Sequence, residues 1–194
     1  GVWKIEAIIA EARKKYHRVL VSEGVLSLNK DGVASNADSS NRPSIAIAKA
    51  IAEKLGANES VKLKGQTAGT RFEQITMQFI ADTFPKLQHL RPGSWEIRNL
   101  GNQSATKTSD FAQYEHLAYL TDLVEKNKQL ATVIGTDYLV APDVIIYRNL
   151  CGDAEINCGT MFVDHEIAKL ADLRKSNGGK PILHASVSAK WTMR

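Results

Sequence analysis

Four polar side chains alternate with apolar ones in Leu183-His184-Ala185-Ser186-Val187-Ser188-Ala189-Lys190-Trp191. In a strand, that spacing puts His184, Ser186, Ser188 and Lys190 on one face, with Leu183, Ala185, Val187, Ala189 and Trp191 on the other. A face carrying an imidazole, two hydroxyls and an ammonium is a poor core face. It is either a solvated edge strand or the face of an active site. Asp143 is a second position of interest, because it follows Pro142 inside an otherwise apolar run. A carboxylate there is costly unless it is hydrogen-bonded or holds a metal, so Asp143 either caps a neighbouring element or binds a hard divalent cation by oxygen. Glu73 is the third, just after Phe72 in Gly65-Gln66-Thr67-Ala68-Gly69-Thr70-Arg71-Phe72-Glu73. It either answers the positive end of a helix dipole or serves a site.

The elements that must position these groups follow from periodicity. Apolar residues from Trp3 to Leu20 recur three and four apart, which predicts a first helix. The Asn-, Asp- and Ser-rich run Asn29 to Asn41 reads as loop. Pro43 opens a second helix to Leu55, with Gly56 ending it. Gly65 to Thr70 reads as a loop holding Gln66, feeding a third helix in whose first turn Glu73 stands and which Pro85 breaks. Ser94 to Arg98 is a short strand, 101–110 a polar loop, and Phe111 to Ile134 one long helix closed by Gly135. A central strand runs from Tyr138 to Tyr147, interrupted by Pro142. Asp164 to Arg174 reads as a short helix with Asp164 as N-cap, and Ile182 to Thr192 as the last strand. Helices mixed with central strands point to an α/β fold.

Composition narrows the classes. At 194 residues and 43% apolar the chain can bury a core, so disorder is excluded as a general description. Length fits one domain, or one domain lacking a piece. Two cysteines do not make a disulfide scaffold, and their spacing with His165 lacks a fourth zinc ligand. No apolar run approaches a membrane span, and no signal core or initiator Met stands at the start, so a reduced cytoplasmic setting is the default. A formal charge of +4 leans mildly towards anionic partners. Gly65 and Gly69 are too close for a phosphate loop, and no Gly-Lys-Ser/Thr follows, so no nucleotide cofactor is expected. His184 and Ser186 do not form a hydrolase triad, because no nucleophile elbow is present. The basic run Arg13-Lys14-Lys15 with His17-Arg18 reads as a solvated helix face.

Pro142-Asp143, followed 47 residues after the aspartate by Lys190 with Ser188 two positions before it, has the form of the PD-(D/E)xK nuclease pattern. Its chemistry is intelligible: the aspartate holds a cation, and the ammonium steadies a water beside a scissile phosphate. Further segments extend the likeness. They are Ser35-Asn36-Ala37-Asp38-Ser39-Ser40-Asn41, Gly65-Gln66-Thr67 through Phe72-Glu73, and Lys86-Leu87-Gln88-His89-Leu90-Arg91-Pro92-Gly93. Asp153-Ala154-Glu155-Ile156-Asn157, His184-Ala185-Ser186, and Lys190-Trp191-Thr192 with Arg194 complete them. Taken in order from about residue 20 onward, this set resembles the NgoMIV-type type II restriction endonucleases of the PD-(D/E)xK superfamily.

The resemblance implies a restriction-endonuclease-like core, a mixed central sheet flanked by helices, in a single domain over 1–194. It implies Mg²⁺-dependent cleavage of double-stranded DNA at a CCGG-centred palindrome, GCCGGC, by in-line water attack. Asp143 and Glu73 are then metal ligands, Lys190 orients or activates the water, and Ser188 stands where most such enzymes have a second acid. Arg194 reads guanine in the major groove, Asp38 contacts the outer base pair, and Ser40 and Gln66 make minor-groove contacts. A homodimer or homotetramer in the bacterial cytoplasm is implied as well. Relatives continue past Arg194 with a further acid and further base contacts, so the domain is expected to be C-terminally incomplete and a poor nuclease alone. Two other readings stand beside this one. One is a catalytically incomplete fragment retaining assembly or weak DNA binding; the other is a structure-specific repair or resolution nuclease.

Overall fold

The computed structural model describes residues 7–60, 63, 65–101, 108–135 and 142–194. The expectations for residues 3–6, 102–107 and 138–141 lie outside these. The chain groups into two compact units, Gly1–Lys86 with Ala189–Arg194, and Leu87–Ser188. No helix among the described residues is long and apolar enough to cross a membrane.

The first unit is helical. Its helices are α1 (Ile8–Ser22), α2 (Arg42–Lys54) and α3 (Gly65–Thr83). α2 begins where the sequence predicts, because the Asn41 side chain accepts the Ser44 N–H at 3.1 Å and Pro43 fills the first turn. Gly56, at φ +74°, takes the left-handed conformation that ends it. Tyr16 of α1 sets its ring 5.4 Å from Phe79 of α3 and shares a 3.1 Å hydrogen bond with the Thr76 hydroxyl. Leu20, Val25, Leu26, Ala48, Ala52 and Ile75 are buried together beneath these helices, each large side chain contributing about 2 kcal/mol of burial.

α3 differs from expectation at its start: Gly65 to Thr70 is helix rather than loop. Ala68 is 1% exposed and extends the apolar stripe of Phe72, Ile75 and Phe79 at four-three-four spacing. Burial of that face outweighs the poor helix propensity of two glycines and two threonines. Glu73 is consequently the ninth residue of a 19-residue helix, far from the first turn, and the dipole no longer accounts for it. Pro85 does stop the helix, and Phe84–Lys86 form a 3₁₀ turn.

The second unit holds β1 (Trp95–Asn99), α4 (His116–Lys126), α5 (Lys128–Ile134), β2 (Val144–Arg148), α6 (Asp153–Asn157) and β3 (Ile182–Val187). Its sheet has the order β1-β2-β3, and both pairings are antiparallel. The α/β character matches the sequence reading, while among the described residues the sheet is antiparallel rather than mixed. Val144, Ile145, Ile146 and Tyr147 of the central strand are all buried, and the Phe111 ring lies 5.0 Å from that of Tyr147.

Three expectations fail here, each for an identifiable reason. The long helix over 111–134 is broken because the Asn127 side chain accepts the N–H groups of Gln129 and Leu130 at 3.0 and 3.1 Å, which caps a new helix. Residues 164–174 form turns rather than a helix. Asp164 does accept two amides, from Glu166 and Ile167 at 2.7 and 2.5 Å. The segment's far end pairs with Cys151 instead, which bonds Leu173 and Lys175 at 2.8 Å each. The last strand stops at Val187 instead of Thr192, because the chain crosses into the first unit and Met193 pairs with Asn36. β3 also carries a bulge. Tyr147 faces Leu183 while Ile146 faces Ala185, leaving His184 as the extra residue.

Candidate active site and nucleic-acid interface

In the second unit, Asp143 immediately precedes β2 and is bound on both sides by backbone. Its N–H donates to the Val187 carbonyl at 3.0 Å, and its own carbonyl accepts from the Leu100 N–H at 3.0 Å. Pro142 before it is buried and precedes β2, so its missing donor removes no ladder bond from the strand. The carboxylate is thus half-buried at a rigid sheet end. Val144 pairs with Val187, and the Asp143 bond to the Val187 carbonyl leaves the acid at the end of the sheet where β3 stops, one residue before the exposed Ser188.

Lys190 follows Ser188 by two residues and belongs to the first unit, as does Glu73, half-buried in the middle of α3. From His184 onward the exposed positions are His184, Ser186, Ser188, Lys190, Thr192 and Arg194. The alternation of exposure read from the sequence is present, although it lies on strand only as far as Val187. The His184 ring packs 4.7 Å from Trp95.

All four residues assigned to DNA belong to the first unit, and three of them lie near one another. The Asp38 carboxylate accepts the Ser40 hydroxyl at 2.6 Å and the Ser40 N–H at 3.0 Å, a local turn that Asp forms readily. These hydrogen bonds, above all the hydroxyl's, hold the Asp38 carboxyl below the usual carboxylate range, and the nearby Arg194 guanidinium adds to the effect. An acid, a hydroxyl and a guanidinium thus share one surface, a set able to accept from and donate to base edges. Gln66 is exposed in the first turn of α3, outside this hydrogen-bonded group.

What the sequence reading missed is the anchoring beneath that surface. Met193 donates its N–H to the Asn36 carbonyl at 2.8 Å, and its carbonyl accepts the buried Ser44 hydroxyl at 2.5 Å. Trp191 lays its ring 5.0 Å from that of Phe72. No local signal marks it, because the Ser44–Met193 contact spans 149 residues.

Among the described residues no cluster of three or more Asp, Glu, His or Cys side chains is arranged to hold a metal ion. Asp143 nonetheless offers carboxylate oxygens. Mg²⁺ commonly binds through one or two carboxylates, with water and substrate phosphate completing its shell, so the donor chemistry fits.

The family model described as NgoMIV restriction enzyme matches residues 16–194. The type II restriction enzyme NgoMIV of Neisseria gonorrhoeae is 44% identical over 188 residues, which make up 96% of this chain and 66% of that relative. The chain therefore spans about two thirds of the curated relative's length. With a match over most of its residues, the chain belongs to the NgoMIV restriction enzyme family.

Proposed function

We propose that this protein is a site-specific, Mg²⁺-dependent endonuclease that opens both strands of DNA at a CCGG-centred palindrome, GCCGGC. The observation that supports this reading is the half-buried Asp143, tied by its backbone to Leu100 and Val187 just before the central strand, in a chain of this family.

Asp143 and Glu73 would hold the cation. When bound, it supplies positive charge to the attacking and leaving oxygens of the phosphodiester. Lys190 donates hydrogen bonds to the attacking water and orients it in line with the departing oxygen. Ser188, a hydroxyl where related nucleases carry an acid, donates to a phosphate oxygen rather than adding negative charge. Arg194 makes a paired contact to guanine O6 and N7, while Asp38 accepts from an exocyclic amino group of the outer pair. Ser40 and Gln66 offer short polar contacts to the minor groove. A palindrome calls for a two-fold pair of readers, so the working form is a homodimer or homotetramer. Its setting is the bacterial cytoplasm, where such DNA is met.

Competition binding of GCCGGC against a scrambled duplex, at one fixed salt concentration, tests the reading together with Mg²⁺-dependent cleavage and sequencing of the ends. Both the 194-residue chain and a protein carrying the family's downstream segment belong in the assay. The expected outcome is binding at least about 10³-fold tighter to GCCGGC, with cuts confined to that site. Equal binding and cuts placed by DNA shape would replace it with a structure-specific nuclease. The absence of cleavage in both forms would overturn it.

A further inference from the structure

We propose that Ser44 is a positioning residue: its hydroxyl joins the loop carrying Asp38 to the segment carrying Lys190 and Arg194. Base reading and placement of the lysine then share one side-chain anchor. The part concerning DNA rests on the function proposed above.

Ser44 is only 6% exposed. Its hydroxyl accepts the Asp38 N–H at 2.9 Å and donates to the Met193 carbonyl at 2.5 Å. Its own N–H is taken by Asn41 at 3.1 Å, which fixes it in the first turn of α2. One side chain therefore touches the residue class that reads the outer base pair and the residue before the guanine reader. Removing the hydroxyl leaves a half-buried carbonyl and a half-buried amide each short of a partner, a loss that local packing cannot replace. Other ties hold the segment as well: the Met193 N–H on Asn36, the parallel bridge between Met193 and Ala37, and Trp191 on Phe72. Ser44 adds a side-chain tie to Asp38 itself. Lys190 and Arg194 flank the tied residues directly, so slack at Met193 passes to both.

Ser44→Ala is compared with Asn41→Ala, which weakens the cap of the same helix but keeps the hydroxyl. Amide exchange of the Met193 N–H, measured without DNA, should rise about five- to tenfold in Ser44→Ala and stay unchanged in Asn41→Ala. The preference for GCCGGC over a duplex altered at the outer base pair should fall about tenfold in Ser44→Ala alone. Should Ser44→Ala fail to fold, Ser44→Cys, with a weak thiol donor of similar size, is read the same way. Unchanged exchange at Met193 would overturn the anchor. Equal effects of Ser44→Ala and Asn41→Ala would also overturn it, since both would then act through helix stability. Unchanged protein that fails to discriminate GCCGGC would instead overturn the proposed function, while the exchange result would still judge Ser44.

Discussion

Under the proposed function, Asp38 and Arg194 are the residues whose surroundings bear most on recognition. Ser40 holds the Asp38 carboxyl in its ionised form, and that state is the one able to accept from a base amino group. A carboxyl lowered in the folded state stabilises the fold above the unfolded value, near pH 4, and that contribution fades as pH falls through the folded value. An NMR titration should place the Asp38 midpoint below that of an ordinary carboxylate, and Ser40→Ala should move it upward. Arg194→Lys keeps the charge but loses the planar fork, so discrimination at guanine should fall by about 1–3 kcal/mol in competition binding. Lys190, Ser188 and Asp143 could be named from the sequence because residue type and order survive in a linear string. Ser44 was hidden because its function lies in a contact 149 residues away.

At the scale of elements, α1, α2, β1 and β2 were legible because each carries a strong local signal, amphipathic spacing or a run of β-branched residues bounded by a turn. The start of α3 was not. Its glycines and threonines speak for a loop, and only burial of Ala68 against the rest of the unit reverses that. The same holds for 164–174, where pairing with Cys151 replaces a helix that local spacing allows. Capping is the other local force at work. Asn41→Ala should lower stability by about 1 kcal/mol in denaturant unfolding, without altering the end of α1. Gly93 shows how tightly β1 is entered: a Cβ there would lie 2.7 Å from the Arg148 Nε, at φ +147°. Gly93→Ala should therefore destabilise the sheet and displace Arg148 from its place 5.6 Å from the Trp95 ring, visible as a change in tryptophan fluorescence.

Over the whole molecule, the sequence supplied the family and the α/β character, whereas the grouping into two units depends on the chain's return at Ala189–Arg194. Periodicity could not show that return, since the exposed alternation runs unbroken from His184 to Arg194 while the backbone changes partners. With a formal charge of +4, binding to any duplex should weaken steeply as salt is raised, whereas the preference for GCCGGC should change less. The account stands most directly on Asp143. In the protein of full family length, Asp143→Asn should bind GCCGGC about as well as the unchanged protein and leave a plasmid carrying that site uncut in Mg²⁺. A variant that cuts as fast as the unchanged protein would show that the cation is held elsewhere.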